Sequence, residues 1–402
     1  MAVTINGTTG IDKVQDGTIV TADIADSNIT TAKIAADAVT ASKLNVGQLS
    51  HRNLIINGAM QVAQRGTSYT YSSGNAIYTT VDRFTQAYYG SWGSNHSEIT
   101  QETDAPDGFI YSQKIKALLS QDYSSVLGSW IQYSFENQDI QALQNGNGVK
   151  DFTVSLWLKS NKTGNVTISV EGQSYSYSTY VSISSAATWE YKTVTFSATT
   201  LGVGIDYTGD PTGDDFRLKV GLGSNGSWLV DVDDQWNDKS TNRGVLSPQQ
   251  TNFQAAINDY LQITGVQLEV GSEATPFEHR SYGDELARCQ RYYQVLIDNA
   301  NGQRAVAAGR ANSTSSIEFQ LPLTVGMRDI TSLPQSNMGT IYLYSGGARV
   351  NTSGGVISLN DDYLPGSSYV YLRTTGASVS DDRAYTLGGF ETNAHLAVDG
   401  EL

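Results

Sequence analysis

The apolar residues of this chain follow two different rules. Through residues 14–49 a large aliphatic side chain returns at every fifth position: Val14, Ile19, Ile24, Ile29, Ile34, Val39, Leu44 and Leu49. Five steps swing a side chain off a helical stripe and, being an odd number, flip it across a strand. A steady five-residue beat therefore needs a turn or kink in every unit, which marks a repeat architecture. From Ile19 on, a small or short residue stands two places before each aliphatic: Gly17, Ala22, Ser27, Ala32, Asp37, Ser42 and Gly47. Eight units are too few to bury their own row of aliphatics, because short repeat stacks leave their interiors open at the ends. Cyclic symmetry between copies would cover the row, so a stalk shared between copies is expected, with Ile19, Ile24, Ile29, Ile34, Val39 and Leu44 at its core. A disordered Thr/Ala-rich leader is the other reading.

From Asn53 onward the pattern is alternation. Phe152, Val154, Leu156 and Leu158 share one face, as do Ile131, Tyr133 and Phe135; Val194 and Phe196; and Val266, Leu268 and Val270. Turn signals separate these runs: Asn-Gly at 57–58, 147–148 and 225–226, and DPTGDD at 210–215. Several short half-buried strands at such spacing predict a β-sandwich or jelly roll. Leu286, Cys289, Tyr293 and Leu296 stand at helical spacing, with Asp284 as N-cap, and predict a short helix leading into a further domain. The tail returns to strand-like runs and reads as a second, smaller sandwich. The fold class is thus mainly β: an N-terminal repeat stalk over 1–52, a central jelly-roll β-sandwich over 53–283 and a C-terminal β-sandwich over 284–402.

The repeat resembles the pentapeptide pattern, in which four units make one square coil of a right-handed β-helix; Asp37 departs from it, since a small apolar residue is usual there. The segments NLIINGAMQVAQRGTS (53–68), DRF (82–84), FTVSLWLKS (152–160), TWEYKTVTFSA (188–198) and ITGVQLEVGSEATPFEHRSYGDELARCQRYY (263–293) resemble a recurring module of bacteriophage tail-fibre proteins. That module is similar to jelly-roll carbohydrate-binding modules, and the ending VDGEL is similar to the ends of the same fibre proteins. The resemblance implies a structural virion protein, a homotrimer whose three stalks share one axis, that is attached to the particle through its N-terminus, touches other virion proteins there, and binds host surface polysaccharide. A head or neck fibre is one alternative; a glycan-cleaving fibre enzyme is another.

Charge narrows the partners. Only 16% of the 402 residues are charged, and the formal net charge is −15. Phosphate recognition needs a basic surface, so neither nucleic acid nor membrane insertion is expected. The start MAVTINGTTG lacks a basic and then apolar run, so no signal peptide is expected; assembly in the host cytoplasm and a place in the virion follow from the fibre reading. The single cysteine, Cys289, allows no intrachain disulfide and reads as a buried small hydrophobe.

No enzymatic motif stands out. Gly221-x-Gly223-x-x-Gly226 precedes SWLVDVDD, a strand rather than a helix, so the dinucleotide reading fails and the segment is a turn. The four histidines, at 51, 96, 279 and 395, lack ligand spacing and read as surface or interface residues. The chain is expected to be no enzyme and to need no cofactor. One acidic cluster, Asp206, Asp210, Asp214, Asp215, Asp231, Asp233 and Asp234, has the oxygen chemistry for a structural calcium ion. On a strand, Asp231 and Asp233 would share a face about 6.6 Å apart; a solvated acidic loop is the plain alternative.

Sugars stack their C–H faces on aromatic rings and bond to amides and carboxylates. The stretch AYYGSWGSN supplies Tyr88, Tyr89, Trp92 and Asn95 in what reads as a Gly-rich loop; Tyr175, Tyr177 and Trp236 are further candidates. Trp157 and Trp189 sit in strand patterns and are expected in the core.

Overall fold

The computed structural model describes residues 51–401 apart from 72–75, 91–93, 122, 124–125, 204–211, 225–227, 241–243, 300–304, 337–341, 346–347, 352–356, 360–366, 376–378, 380–382 and 389–393. The described residues belong to one compact unit that begins at Gln48. The five-residue repeat, and with it the expected trimer contacts at Ile19, Ile24, Ile29, Ile34, Val39 and Leu44, lies outside them.

The chain is mainly β. In order it forms β1 (Ser68–Thr70), β2 (Ala76–Tyr78), β3 (Phe84–Gly90), β4 (Ser97–Glu102), β5 (Ser112–Ala117), β6 (Val126–Phe135), the small hairpin β7 (Gln144–Asn145) and β8 (Gly148–Val149), then β9 (Phe152–Ser160), β10 (Gly164–Glu171), β11 (Tyr175–Ile183), β12 (Glu190–Phe196), β13 (Phe216–Ser224), β14 (Trp236–Asp238) and β15 (Tyr260–Val270). Two antiparallel sheets result, six-stranded β1-β4-β5-β15-β9-β12 and seven-stranded β14-β11-β10-β13-β6-β3-β2. Period-2 alternation explains why they stack. Phe152, Val154, Leu156 and Leu158 of β9 and Leu261, Ile263, Val266 and Leu268 of β15 meet Val166, Ile168 and Val170 of β10 and Leu218 and Val220 of β13 in one dry core.

The start and end of this sandwich are sewn together by polar side chains. Asn53 Oδ1 accepts from the Ile55 and Leu268 amides at 2.9 and 3.2 Å. Arg280 donates to the Ile55 carbonyl at 3.0 Å and pairs with Glu285 at 3.0 Å. Asn57, whose φ of +62° suits a tight turn, donates to the Val62 and Asp82 carbonyls at 2.9 and 3.0 Å.

Helix α1 (Tyr282–Gln290) follows. Its N-cap is Ser281, whose hydroxyl accepts from the Asp284 amide at 3.2 Å, so the cap falls three residues before the expected Asp284. Tyr293 and Leu296 lie not on this helix but on β16 (Tyr293–Asn299). Cys289 is fully buried, as a small hydrophobe would be. Among the described residues no helix is long and apolar enough to cross a membrane.

The remaining strands are β17 (Ala305–Ser313), β18 (Ser316–Pro322), β19 (Gln335–Ser336), β20 (Tyr342–Ser345), β21 (Ala348–Asn351), β22 (Ile357–Leu359), β23 (Tyr369–Thr375), β24 (Ala384–Gly388) and β25 (Ala394–Asp399). They form a three-stranded sheet, β16-β25-β19, and a seven-stranded sheet, β21-β20-β24-β17-β18-β23-β22. Ile297, Leu396 and Val398 of the first pack with Ile317, Phe319, Leu372 and Leu387 of the second in a separate core.

The last residues reach back into the central sandwich. Arg65 pairs with Asp399 at 3.0 Å and Glu401 at 3.3 Å, and its guanidinium lies 3.8 Å from the centre of the Tyr293 ring. Arg83, fully buried, pairs with Glu401, donates to the Ser134 carbonyl at 2.7 Å and stacks 3.4 Å over Tyr292.

Candidate functional site

The candidate site lies on the side of the seven-stranded sheet that faces away from the core. Alternation that sends Val166, Ile168 and Val170 inward sends Thr167, Ser169 and Glu171 outward. Register then places Ser176 and Ser178 beside them on β11, and Arg217 and Lys219 on β13. Trp130 of β6 and Ala87 and Tyr89 of β3 continue the face. Solvent should cover such positions, yet Ser169, Ser176, Ser178 and Ala87 are 0% exposed and Trp130 is 1%.

The cause is the segment that follows β13. Residues 228–230 pair with 245–246, the Val245 and Leu246 amides both donating to the Trp228 carbonyl at 2.9 Å. The segment is pinned to the sheet by the Ser176 hydroxyl on the Gly244 carbonyl at 2.9 Å, the Asp234 amide on the Ser178 carbonyl at 2.9 Å and the Lys239 amide on the Ser174 carbonyl at 2.9 Å. Val245, Leu246, Trp228 and Leu229 pack on Ala87, Tyr89 and Trp130 as a small apolar cluster of their own. Its three large rings lie close: Tyr89 stacks on Trp130 at 5.1 Å, and Trp228 is 4.9 Å from Tyr89 and 5.2 Å from Trp130.

Beside this cluster opens a cavity of about 800 Å³, lined by Glu171, Gln173, Ser174, Tyr175, Gly202, Trp228, Asp238, Lys239 and Ser240. Its wall is both aromatic and charged. Glu171 takes Lys239 at 2.5 Å and also Lys219, whose ammonium sits 4.6 Å over Trp130. Lys239 donates in addition to the Gly172 carbonyl at 2.9 Å. Burial works to raise the Glu171 pKa, but the two ammonium groups outweigh it and hold the carboxyl at about 2. Asp238, at the open rim, is also lowered, by hydrogen bonds from Ser240, whose amide lies 2.8 Å away. Among the described residues, the buried indole Nε1–H of Trp228 has no hydrogen-bond partner, nor have the Ser169 and Ser178 hydroxyls on the covered face. An unpartnered buried donor or acceptor costs about 1–3 kcal/mol.

The sugar-binding candidates read from the sequence divide. Tyr175 lines the cavity, and Tyr89, half-buried, belongs to the adjoining cluster. Both Tyr88 and Tyr89 lie on β3 rather than in a loop. Tyr88 faces the interior and is 0% exposed, edge-on to Tyr71 at 4.7 Å and His96 at 4.4 Å, so it presents no stacking face. Tyr177 also points inward, against Phe196 at 5.1 Å and Trp236 at 5.5 Å. Trp236 spends its indole N–H on the Ser197 carbonyl at 3.0 Å. Asn95 is exposed with a φ of +62°, outside the cavity lining. Trp92 lies outside the described residues.

The acidic cluster is spread among protein partners. Asp214 pairs with Arg217 at 2.7 Å, Asp215 accepts from Asn137 at 2.7 Å and from Gln173, and Asp233 accepts from Ser247 at 2.7 Å. Residues 231–235 form bends instead of the expected strand, so Asp231 and Asp233 do not share a strand face, and Asp231 and Asp234 are exposed. Asp206 and Asp210 lie outside the described residues. Among the described residues no three His, Cys, Asp or Glu side chains converge as a metal site would require. His96 is buried rather than at a surface, and burial lowers its pKa to about 4.

Sequence reasoning missed Trp228, Glu171, Lys219 and Lys239. The available signal was Trp228 itself, next to a Gly-rich turn. Trp157 and Trp189, expected in the core, stand half-exposed on the solvent side of the six-stranded sheet.

No protein-family model and no curated protein matches the chain. Solved structures similar to it include a putative sugar binding protein from Bacteroides thetaiotaomicron, 10% identical with a TM-score of 0.31, the match covering 55% of this chain and 100% of that one. The CBM22-1 xylan-binding domain of Paenibacillus barcinonensis Xyn10C is 11% identical with a TM-score of 0.24, covering 52% of this chain and 94% of that one. The enzymatically active domain of bacteriophage CBA120 tailspike protein 4 is 11% identical with a TM-score of 0.28, covering 54% of this chain but only 21% of the tailspike chain. The functional argument therefore falls to this chain's own side chains.

Proposed function

We propose that this chain is a fibre subunit of a bacteriophage virion that binds a host-surface glycan without turning it over. The observation that carries the reading is the cavity at the edge of the seven-stranded sheet. It sets the Trp228 and Tyr175 rings beside fixed donors and acceptors from Glu171, Gln173, Asp238 and Lys239. A pyranose ring asks for that combination, an apolar face for its C–H side and charged or amide groups for its hydroxyls. The wall is preorganised, because Glu171 and Lys239 already hold each other.

Ionisation supports binding over catalysis. A glycosidase needs one carboxyl kept protonated as general acid beside an ionised partner. Here Glu171 is held at about 2 and Asp238 is lowered too, so both are ionised at neutral pH. Placement in a virion, attachment through residues 1–52 and a homotrimeric state rest on the resemblance of 53–293 to the fibre module and on the five-residue repeat.

The test is adsorption of the purified full-length protein to host cells and to polysaccharide extracted from them. Trp228→Phe keeps an apolar ring but a smaller stacking face, and should weaken binding several-fold. Trp228→Ala removes the stacking face altogether, and should weaken it about 10–100-fold, as for one interface aromatic. Neither protein should release reducing ends. Full adsorption by a correctly folded Trp228→Ala variant refutes the site, and accumulation of reducing ends refutes the absence of turnover.

A further inference from the structure

The six-stranded sheet also turns a face away from the core, and it carries large aromatic side chains. Trp157 of β9 is in register with Tyr191 of β12 on one side and Thr264 of β15 on the other. The Trp157 and Tyr191 rings lie 5.4 Å apart, and Tyr191 is 44% exposed. Two residues along β9, Lys159 sits 5.8 Å from the centre of the Trp189 ring and bonds Asp104 at 2.7 Å. The other Asp104 oxygen accepts from the Trp189 indole N–H at 3.1 Å. Asp104 is anchored in turn, its carbonyl accepting from Ser112 at 2.6 Å and Gln262 at 3.1 Å.

A glycine stands close to Trp157. Gly265 has a φ of +61° where the β9–β15 register shifts between Thr264 and Gln267. A Cβ at Gly265 would stand 2.7 Å from the Phe109 ring and 3.0 Å from the Trp157 ring. A side chain there would meet both rings, so the kink requires glycine. An exposed tyrosine ring against a half-buried indole, with a pre-paired acid and base nearby, makes the parts of a recognition surface rather than of a solvated sheet face.

We infer that this face is a second glycan-binding surface, which takes a neutral sugar chain laid across β12 and β9. The Trp157 and Tyr191 rings stack on pyranose C–H faces; Asp104 and Lys159 accept from and donate to hydroxyls. The Asp104–Lys159 pair carries no net charge, which suits neutral sugars over acidic ones. A second copy or another protein would need about 800 Å² of close-fitting contact, whereas Thr193 and Thr195 stand exposed beside Tyr191 and break the apolar area. The surface lies on the opposite sheet from the cavity, with the whole core between, and stands independently of the cavity reading. Two sites on one chain would let a weak flat contact and a cavity contact reinforce each other on a dense polysaccharide.

The experiment is a printed array of neutral and acidic oligosaccharides, probed with the full chain as wild type, Trp157→Ala, Tyr191→Ala and Trp228→Ala. Tyr191→Ala changes a largely exposed side chain and guards against loss of folding in Trp157→Ala; far-ultraviolet circular dichroism verifies both. Expected is at least one neutral glycan whose binding survives Trp228→Ala and falls at least tenfold in Trp157→Ala and Tyr191→Ala. Binding lost only in Trp228→Ala overturns this surface and leaves the cavity reading intact. Binding confined to acidic glycans overturns the neutral ligand. Wild type that self-associates in sedimentation and is dissociated by Tyr191→Ala makes the face an interface between copies and overturns the proposal. An array with no bound glycan overturns both sites.

Discussion

Replacing Arg83 by methionine tests what fastens the C-terminal residues to the central sandwich. The guanidinium is 0% exposed and Glu401 is 4% exposed at the side chain. Removing the cation leaves Glu401 with Arg65 at 3.3 Å, strips the Ser134 carbonyl of a donor at 2.7 Å and takes a cation from the Tyr292 ring at 3.4 Å. Breaking one side of a buried ion pair costs about 3–5 kcal/mol, because the remaining charge stays desolvated. Arg65 still neutralises part of Glu401, which sets the expectation at about 3 kcal/mol. Replacing both partners is different in kind, since a neutral amide beside a thioether strands no charge. The double variant Arg83→Met, Glu401→Gln should therefore lie within about 1–2 kcal/mol of wild type. Urea unfolding followed by tryptophan fluorescence measures all four corners of the cycle. If Arg83→Met costs less than about 1 kcal/mol, or the double variant loses the sum of the two singles, the ion pair is not what ties these segments together.

Acid titration separates two buried carboxyls of opposite behaviour. Glu171 falls from 4.5 to about 2 on folding, so its contribution, about 3 kcal/mol, is full above pH 4.5 and is lost as pH drops toward 2; Glu171→Gln should remove that acid limb in melting curves, and an unchanged limb would contradict the pairing. Asp82 rises from 3.8 to about 6, chiefly through burial against the pull of Arg65, so its ionised form costs about 3 kcal/mol above pH 6 and stability recovers as pH falls from 6 to 4; Asp82→Asn should abolish that recovery, and its persistence would place the titration elsewhere. In the stalk, replacing Ile24, Ile29 and Ile34 by Asp should turn a trimer into monomers by light scattering while the residues from 51 onward keep their melting transition; a wild-type protein that is already monomeric refutes the trimer.

The sandwich was legible because its strands obey a simple rule. In FTVSLWLKS the apolar positions 152, 154, 156 and 158 point to one side, and that side is the core. The same rule located Ile131, Tyr133 and Phe135 and the end of β15. It failed where tertiary partners replaced local ones. SWLVDVDD alternates well enough to be a strand, yet residues 231–235 are bends, because Trp228 and Leu229 are drawn instead onto Ala87 and Trp130. The helix stopped before Tyr293 because Tyr293 pairs with Asp399, about a hundred residues away in sequence, a registration that helical spacing in 286–296 does not encode.

The candidate site was harder to read because alternation says which way a side chain points but not what covers it. Glu171, Lys219 and Trp130 all point out of the core, and by pattern alone they are surface residues. Two stretches of the same chain, 228–240 and 244–247, cover them, so the outward side of this sheet becomes a second interior with charges in it. On the opposite sheet Trp157 also points outward and was expected in the core on hydrophobicity alone, yet it stays half-exposed. Sorting the two cases needs the direction of the side chain together with its cover. A lysine buried on an outward face implies a covering layer and a paired acid, since an unpaired ammonium there would be costly; Lys219 has both. A tryptophan only half-buried on an outward face, beside an exposed tyrosine ring as Trp157 is beside Tyr191, fits the proposed second surface. The two sheets thus point to function by opposite departures from the same rule, one by burying what alternation exposes and the other by exposing what hydrophobicity would bury.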